Sequence, residues 1–310
     1  SSHVDLRELF HILHNQPERL TMQTQMGPLD VFPTRRFRIP VDSAKVVANG
    51  TVKPEDAHLI EKELVWTVEG SAIQKNSLMV LDLLAHFNWE RPVYFSTTTG
   101  EDAYVGLTDY FQVEGLAFRL VPIKAQPTDE QFGRIHTGVM FDNLMNRFRV
   151  DMKDPDKFMG NDHQRMAMNL RNTYGRLASE LARQGEADKA KEVCSFITRA
   201  IPDVSVPFDY FMIPIAEAWY ACGEKEEAEA TLGRLLDRTE QDLRYFFRFP
   251  ARLAPALESD KRQALAVLNG ITETAGDGGS TELADNARAS LTTYYGLFIG
   301  QPGAPLPEMP

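Results

Sequence analysis

The sequence predicts an α/β plus all-α fold. A small α/β subdomain spans residues 1–126, a bridging segment 127–168, an array of helical hairpins with a capping helix 169–300, and a disordered tail 301–310. Three observations carry this reading. Two stretches superpose with an offset of 38 residues, Gly185 falling on Gly223, and each reads as helix, turn, helix. The first 126 residues instead alternate short helical and strand-like runs. With 310 residues and 43% hydrophobic content, the chain supplies core for two domains.

In the α/β part, residues 3 to about 15 read as an amphipathic helix carrying Val4, Leu6, Leu9, Phe10 and Leu13. Residues 36–41 alternate as a half-buried strand does. Pro54 opens a helix through Ala57, Ile60 and Leu64, and residues 64–68 read equally as its continuation or as a strand. Residues 77–87 form a strongly apolar helix with Leu78, Leu81, Leu84 and Ala85 inward and Asn76 or Ser77 as cap. A buried strand over 93–96, a helix over 100–110 and a strand over 118–123 complete a layer expected to use right-handed crossovers.

In the hairpin part, the frame from Arg171 places Tyr174, Leu177, Ala178 and Leu181 on one helix, then Ala190, Cys194 and Ile197 on the next, with a stop at Pro202. The frame from Asp209 repeats this with Met212, Ile215, Ala216 and Trp219, then Ala228, Leu232 and Leu235. Small residues mark close helix approach and large ones fill the groove, a pattern that resembles tetratricopeptide repeats. Beyond Glu240 the pattern weakens. Tyr245, Phe246, Phe247 and Phe249 crowd one helix, Pro250 and Pro255 interrupt it, and 262–274 reads as a degenerate second helix. Residues 276–279 read as a flexible linker before a capping helix over 283–298.

A net charge of −11 and a pI near 5.2 repel phosphate backbones, so nucleic acid is not expected as a partner. Cys194 and Cys222 belong to the packing pattern rather than to a disulfide framework. No apolar run reaches the roughly 20 residues that span a bilayer, and the fragment is expected to be soluble. The opening Ser1-Ser2-His3 runs directly into apolar pattern, as in a piece of a longer protein.

Candidate chemistry is sparse, and no cofactor, metal or catalytic residue is expected. His11 and His14 are spaced to share a metal, but no third or fourth ligand stands near them in sequence. His86 lacks an accompanying nucleophile. Residues 96–100 place hydroxyls between a strand and a helix, where anions gather in α/β proteins, yet Glu101 and Asp102 oppose phosphate. Acid pairs such as Glu61 with Glu63, or Glu226 with Glu227, fit solvated faces. The groove of the hairpins is the stronger surface. The frame lines it with Asn172, Gly175, Ser179 and Ala182, then Tyr210, Ile213, Glu217 and Tyr220, with Tyr245 close by. It lacks the Lys/Asn clamp that holds a peptide carboxylate and suits an extended segment or another domain of the parent. An alternative pocket gathers Trp89, Arg91, Ser96, Thr97 and Thr98 for a sugar or acceptor.

Residues 75–82 (KNSLMVLD) and 88–95 (NWERPVYF) resemble the C-terminal soluble part of a bacterial membrane-protein family of unknown function, whose hydrophobic N-terminal half is similar to protein O-mannosyltransferases. Residues 39–42, 47–52, 110–122, 141–145 and 208–218 extend the resemblance over most of 37–250. It implies a parent with many transmembrane helices, of the type that uses a lipid-linked sugar, with this part on the periplasmic side of the inner membrane. Membrane contact is then made through the absent N-terminal half. The acidic catalytic residues expected of that family lie in membrane loops outside this chain, and the Trp-Trp-Asp signature of oligosaccharyltransferases is missing. The implied role is a noncatalytic interaction or docking module, bound to a protein partner or to its own transmembrane half. The alternative is a sugar- or acceptor-binding domain contributing directly to transfer.

Overall fold

The alternation over residues 36–41 becomes a central strand, and the N-terminal unit is assembled around it. A computed structural model describes residues 3–25, 27–70, 73–125, 131–249 and 256–300. The chain divides after Met140 into two units.

The first unit begins with β1 (Val4–Asp5) and α1 (Leu6–Asn15), whose N-terminus is capped by the Asp5 carboxylate accepting from the Arg7 amide at 2.9 Å. Leu6, Leu9 and Phe10, one stripe at helical spacing, are buried. A hairpin of β2 (Thr21–Thr24) and β3 (Gly27–Asp30) follows, then β4 (Arg36–Pro40), α2 (Ser43–Ala48) and β5 (Glu63–Thr67). In the sheet β1-β4-β5, Phe37 faces Trp66 and Ile39 faces Leu64 in antiparallel register, while β1 runs parallel to β4. That pairing decides the ambiguous run. Pro54–Leu59 is a 3-10 turn that stops before Ile60, and Leu64 belongs to a strand, because only there does it share the buried face of Trp66.

Helix α3 (Lys75–His86) buries Ser77, Leu81, Leu84 and Ala85. Its cap position is Gln74, without a side-chain cap bond, rather than Asn76 or Ser77; Ser77 is drawn into the packed face instead. Next come β6 (Tyr94–Ser96), β7 (Phe111–Val113), β8 (Ala117–Leu120) and β9 (Arg134–Ile135), in the sheet order β6-β8-β7-β9. Of β6 only Phe95 is buried, so this strand is half-exposed rather than buried. The expected helix over 100–110 is two 3-10 turns, Glu101–Tyr104 and Thr108–Tyr110. Val105 and Gly106 break it with φ of 47° and 80°, and a Cβ on Gly106 would lie 2.2 Å from the Thr67 carbonyl oxygen. Both sheets are mixed: β4–β5, β6–β8 and β7–β8 pair antiparallel and β1–β4 and β7–β9 pair parallel, so the layer is not the one joined throughout by crossovers that the element order suggests.

One face of the second sheet carries a row of polar side chains in register: Tyr94 opposite Arg119, Arg119 opposite Gln112, and Gln112 opposite Arg134. Its charges are compensated in place. The Glu114 carboxylate accepts from Tyr94 and Gln112, each at 2.8 Å, and Arg134 meets Asp56 at 2.7 Å.

Helix α4 (Thr137–Phe141) runs into a π-helical turn, Asp142–Arg147. The second unit then builds α5 (Asn161–Arg183), α6 (Ala187–Ala200), α7 (Ile213–Ala221), α8 (Lys225–Phe247), α9 (Glu258–Asp277) and α10 (Thr281–Phe298). Successive helices pair as α5 with α6, α7 with α8 and α9 with α10, while α5 also packs on α7 and α7 on α9. Gly185, Gly223 and Gly279 turn the three pairs with φ of 80°, 79° and 71°. Ala178, Ala190, Ala216 and Ala228 are fully buried at the close approaches.

Two expectations change here. Residues 276–279 are the α9–α10 turn and not a linker, closed by Gly278 donating to the Thr274 carbonyl and Ser280 to that of Ala275. Helix α9 is therefore the first member of the last pair, with α10 as its second, and α8 itself runs on to Phe247. The interruption at Pro250 and Pro255 and the tail 301–310 lie outside the described residues.

Candidate functional site

The surface where α7 meets the C-terminal end of α9 holds a cleft of roughly 440 Å³. Glu217 and Tyr220 reach it from α7, Thr274, Asp277 and Gly278 from α9 and its turn, and Lys225 from the start of α8. Glu217 and Tyr220 are three residues apart and so share a helix face. The Thr274 hydroxyl donates to Glu217 Oε1 at 3.2 Å. Desolvation pushes the Glu217 carboxyl above its ordinary range, nearby Asp277 adds to this, and the Thr274 bond opposes it. A chain of hydroxyls closes one wall: Tyr220 donates to Ser280 at 2.7 Å, and Ser280 donates to Glu229 at 2.5 Å. The wall exists because residue 278 is glycine, since a Cβ there would lie 2.5 Å from the Tyr220 ring. Lys225 donates to the Gly279 carbonyl at 2.8 Å and pairs with the Glu229 carboxylate at 3.7 Å.

Glu217 and Tyr220 are thus brought together, while the other groove residues are placed elsewhere. Ser179 donates to the Pro214 carbonyl at 3.3 Å, inside the α5–α7 contact. Asn172 is half-buried on α5, Tyr210 is 45% exposed on a 3-10 turn, and Tyr245 is 58% exposed near the end of α8 against Phe249. Thr274 and Asp277 join the cleft from a helix whose role the repeat pattern had not indicated; their polarity at the end of an otherwise apolar stripe was the available signal.

The N-terminal unit closes at Met140. Residues 1–139 match the family model described as TMEM260-associated domain 2. This is consistent with the resemblance drawn from residues 75–95, although the match ends before the helical unit, whereas the resemblance runs on to about 250. No curated protein and no solved structure matches the chain.

Within the matched residues 1–139 lie all five residues of the alternative pocket. Trp89 is only 3% exposed: its ring packs on Phe87, its indole N–H donates to the Pro40 carbonyl at 3.4 Å, and its own carbonyl accepts from Asn49 at 2.6 Å. It offers no ring face to a sugar. Thr97 donates to the Leu116 carbonyl, and the Ser96 and Thr98 hydroxyls bond each other at 2.8 Å. Arg91 is exposed. Gly100 precedes a four-residue 3-10 turn, too short to present the convergent amides of a helix N-terminus. Among the described residues no group of three or more His, Cys, Asp or Glu side chains is placed to hold a metal ion, and no helix is long and apolar enough to cross a membrane.

Proposed function

We propose that this chain is a noncatalytic, extracytoplasmic docking module of a multi-pass membrane protein of the glycosyltransferase type. Its helical unit, read as tetratricopeptide-like hairpins, engages either a protein partner or the parent's own membrane half. The observation that carries the reading is the cleft between α7 and α9, which two consecutive first helices of the array line with Glu217, Tyr220, Thr274 and Asp277. The family match over residues 1–139 supports the parentage, and the resemblance to a family related to protein O-mannosyltransferases supplies the periplasmic-side location.

Site-specific photo-crosslinking in the full-length parent, in its own membrane, tests this. A crosslinker at position 217 is expected to give a discrete adduct with a membrane segment of the parent or with one second protein, and a crosslinker at exposed Tyr295 is expected to give none. Absence of the adduct at 217, or the same adduct from 295, overturns the docking role. Replacing exposed Arg91, Ser96 and Thr98 together by alanine is expected to leave glycosyl transfer by the parent unchanged; its loss, in protein that remains folded, would support direct participation of the N-terminal unit.

A further inference from the structure

A second cleft, of roughly 480 Å³, lies within the N-terminal unit, where α1 meets the end of α3, and is lined by Arg7, Phe10, His11 and His14 from α1 and by His86 from α3, among others. Arg7, His11 and His14 are spaced to share one face of α1, and Glu8 falls off that face. Among the described residues the lining holds no carboxylate, and the Arg7 guanidinium has neither an ion pair nor a hydrogen bond. In a chain of net charge −11, basic side chains are gathered here without acids among them.

Two of the imidazoles are held in place by their surroundings. Buried Phe10 packs against both, its centroid 6.4 Å from that of His14 and 6.5 Å from that of His86, and the two imidazoles meet edge to face at 6.1 Å. In each, Nδ1 lies 2.9 Å from a backbone carbonyl one helical turn back, that of Phe10 for His14 and that of Asp82 for His86. A carbonyl only accepts, so Nδ1 carries the proton, and a second proton enters at Nε2, the ring nitrogen not tied to a helix. His11 takes the opposite tautomer: Asn15 Nδ2 donates to its Nδ1 at 3.2 Å, which leaves an N–H on Nε2 of the neutral ring.

We propose that this cleft binds a phosphate monoester, its dianion held by Arg7 and by the Nε2–H groups that His14 and His86 gain on protonation. One guanidinium fork already satisfies a planar carboxylate. Donors spread over a guanidinium and two nearly perpendicular imidazoles suit a tetrahedral oxyanion instead, and the volume leaves room for the organic group that carries it. The charged groups around the two rings are Arg7 and His11 on α1 and Asp82 on α3, whose carboxylate lies 3.2 Å from His86 Nδ1, on the helix-bound edge of that ring. Nothing in this site depends on the cleft between α7 and α9.

The test is titration of the whole chain with glycerol 3-phosphate by calorimetry, beside co-sedimentation with phosphatidylcholine vesicles that contain phosphatidic acid. One glycerol 3-phosphate per chain is expected. Arg7→Gln is expected to weaken binding about tenfold or more, as loss of a charged hydrogen-bond partner does. Arg91→Gln removes an equal charge from the exposed surface of the same unit and is expected to change nothing. The double variant His14→Gln, His86→Gln should bind much as the parent does at pH 8 and about tenfold more weakly at pH 6; the ligand's own titration cancels in that ratio. Both histidines are exposed, so these replacements spare the packing of α1 on α3, which circular dichroism checks. Arg7-dependent capture by the vesicles, without binding of glycerol 3-phosphate, assigns the same phosphate group to a lipid head; binding of glycerol 3-phosphate assigns it to a free ligand. No binding of either probe, a folded Arg7→Gln variant equal to the parent, equal weakening by Arg91→Gln, or a histidine effect that ignores pH overturns the site.

Discussion

Arg171 and Asp209 open the two equivalent frames of the helical unit, 38 residues apart, and are joined by an ion pair of 2.6 Å between Arg171 Nη1 and Asp209 Oδ2. The guanidinium is 1% exposed and also donates to the carbonyls of Ile201, Val206 and Pro207, the segment linking α6 to α7, while the Phe208 ring lies 5.2 Å from its centre. Asp209 in turn accepts from the Phe211 amide at 2.8 Å. One buried cation therefore gathers the turn between two hairpins.

Removing either partner leaves the other uncompensated. Asp209→Ala is expected to cost about 3 to 5 kcal/mol, because it strands a buried guanidinium and removes a turn cap. Arg171→Ala should cost a similar amount through three orphaned carbonyls. Urea unfolding of the two single variants and the double variant should show a double-variant cost well below the sum of the singles; additivity would refute the coupling.

Gly278→Ala places a methyl against the face of Tyr220, a ring held by its bond to Ser280, and should cost about 1 to 3 kcal/mol. Gly270→Ala, within α9, meets the Ile213 side chain of α7, with Cδ1, its flexible end, at 2.5 Å. There the gain in helix propensity of about 1 kcal/mol offsets the crowding, so this change should be near neutral. Thermal unfolding distinguishes them, and Tyr220→Ala should relieve the first cost and not alter the second.

Burial pushes the Cys194 thiol up to about 12, whereas Cys222 is raised less and is only half-buried. Since the thiolate is the reacting species, a thiol reagent at pH 8 should modify Cys222 first and reach Cys194 only on unfolding. Mass spectrometry of briefly labelled native protein checks the order.

Tyr174, desolvated on α5 with its hydroxyl donating to the Leu144 carbonyl at 2.7 Å, is pushed up to about 12 from 10. Between those values the folded state holds the proton that the unfolded state has lost. Stability should therefore fall as pH rises from about 10 to 12, and less steeply in Tyr174→Phe. The same sign applies to Glu217, whose carboxyl is raised: stability falls as pH rises through its titration. Glu217→Gln should thus stabilise the chain at neutral pH, by less than about 1 kcal/mol at a site open to solvent, and lose that advantage in acid. Chemical denaturation across pH measures both.

Sequence alone determined the α/β plus all-α layout, the 38-residue frame and the places of its small residues, because helical periodicity and turn glycines are local signals that survive in the finished packing. It also marked Glu217 and Tyr220, which share one face of one helix. What it could not determine were pairings between distant segments. Leu64 became a strand residue only when β4 offered Ile39 as its partner. The expected helix over 100–110 broke where Gly106 had to pass the Thr67 carbonyl. Thr274 and Asp277 reached the cleft only because α9 packs on α7, and His14 met His86 rather than His11 because α1 packs on α3. Such relations depend on which buried faces meet, and burial is a property of the whole chain that no short window of residues contains.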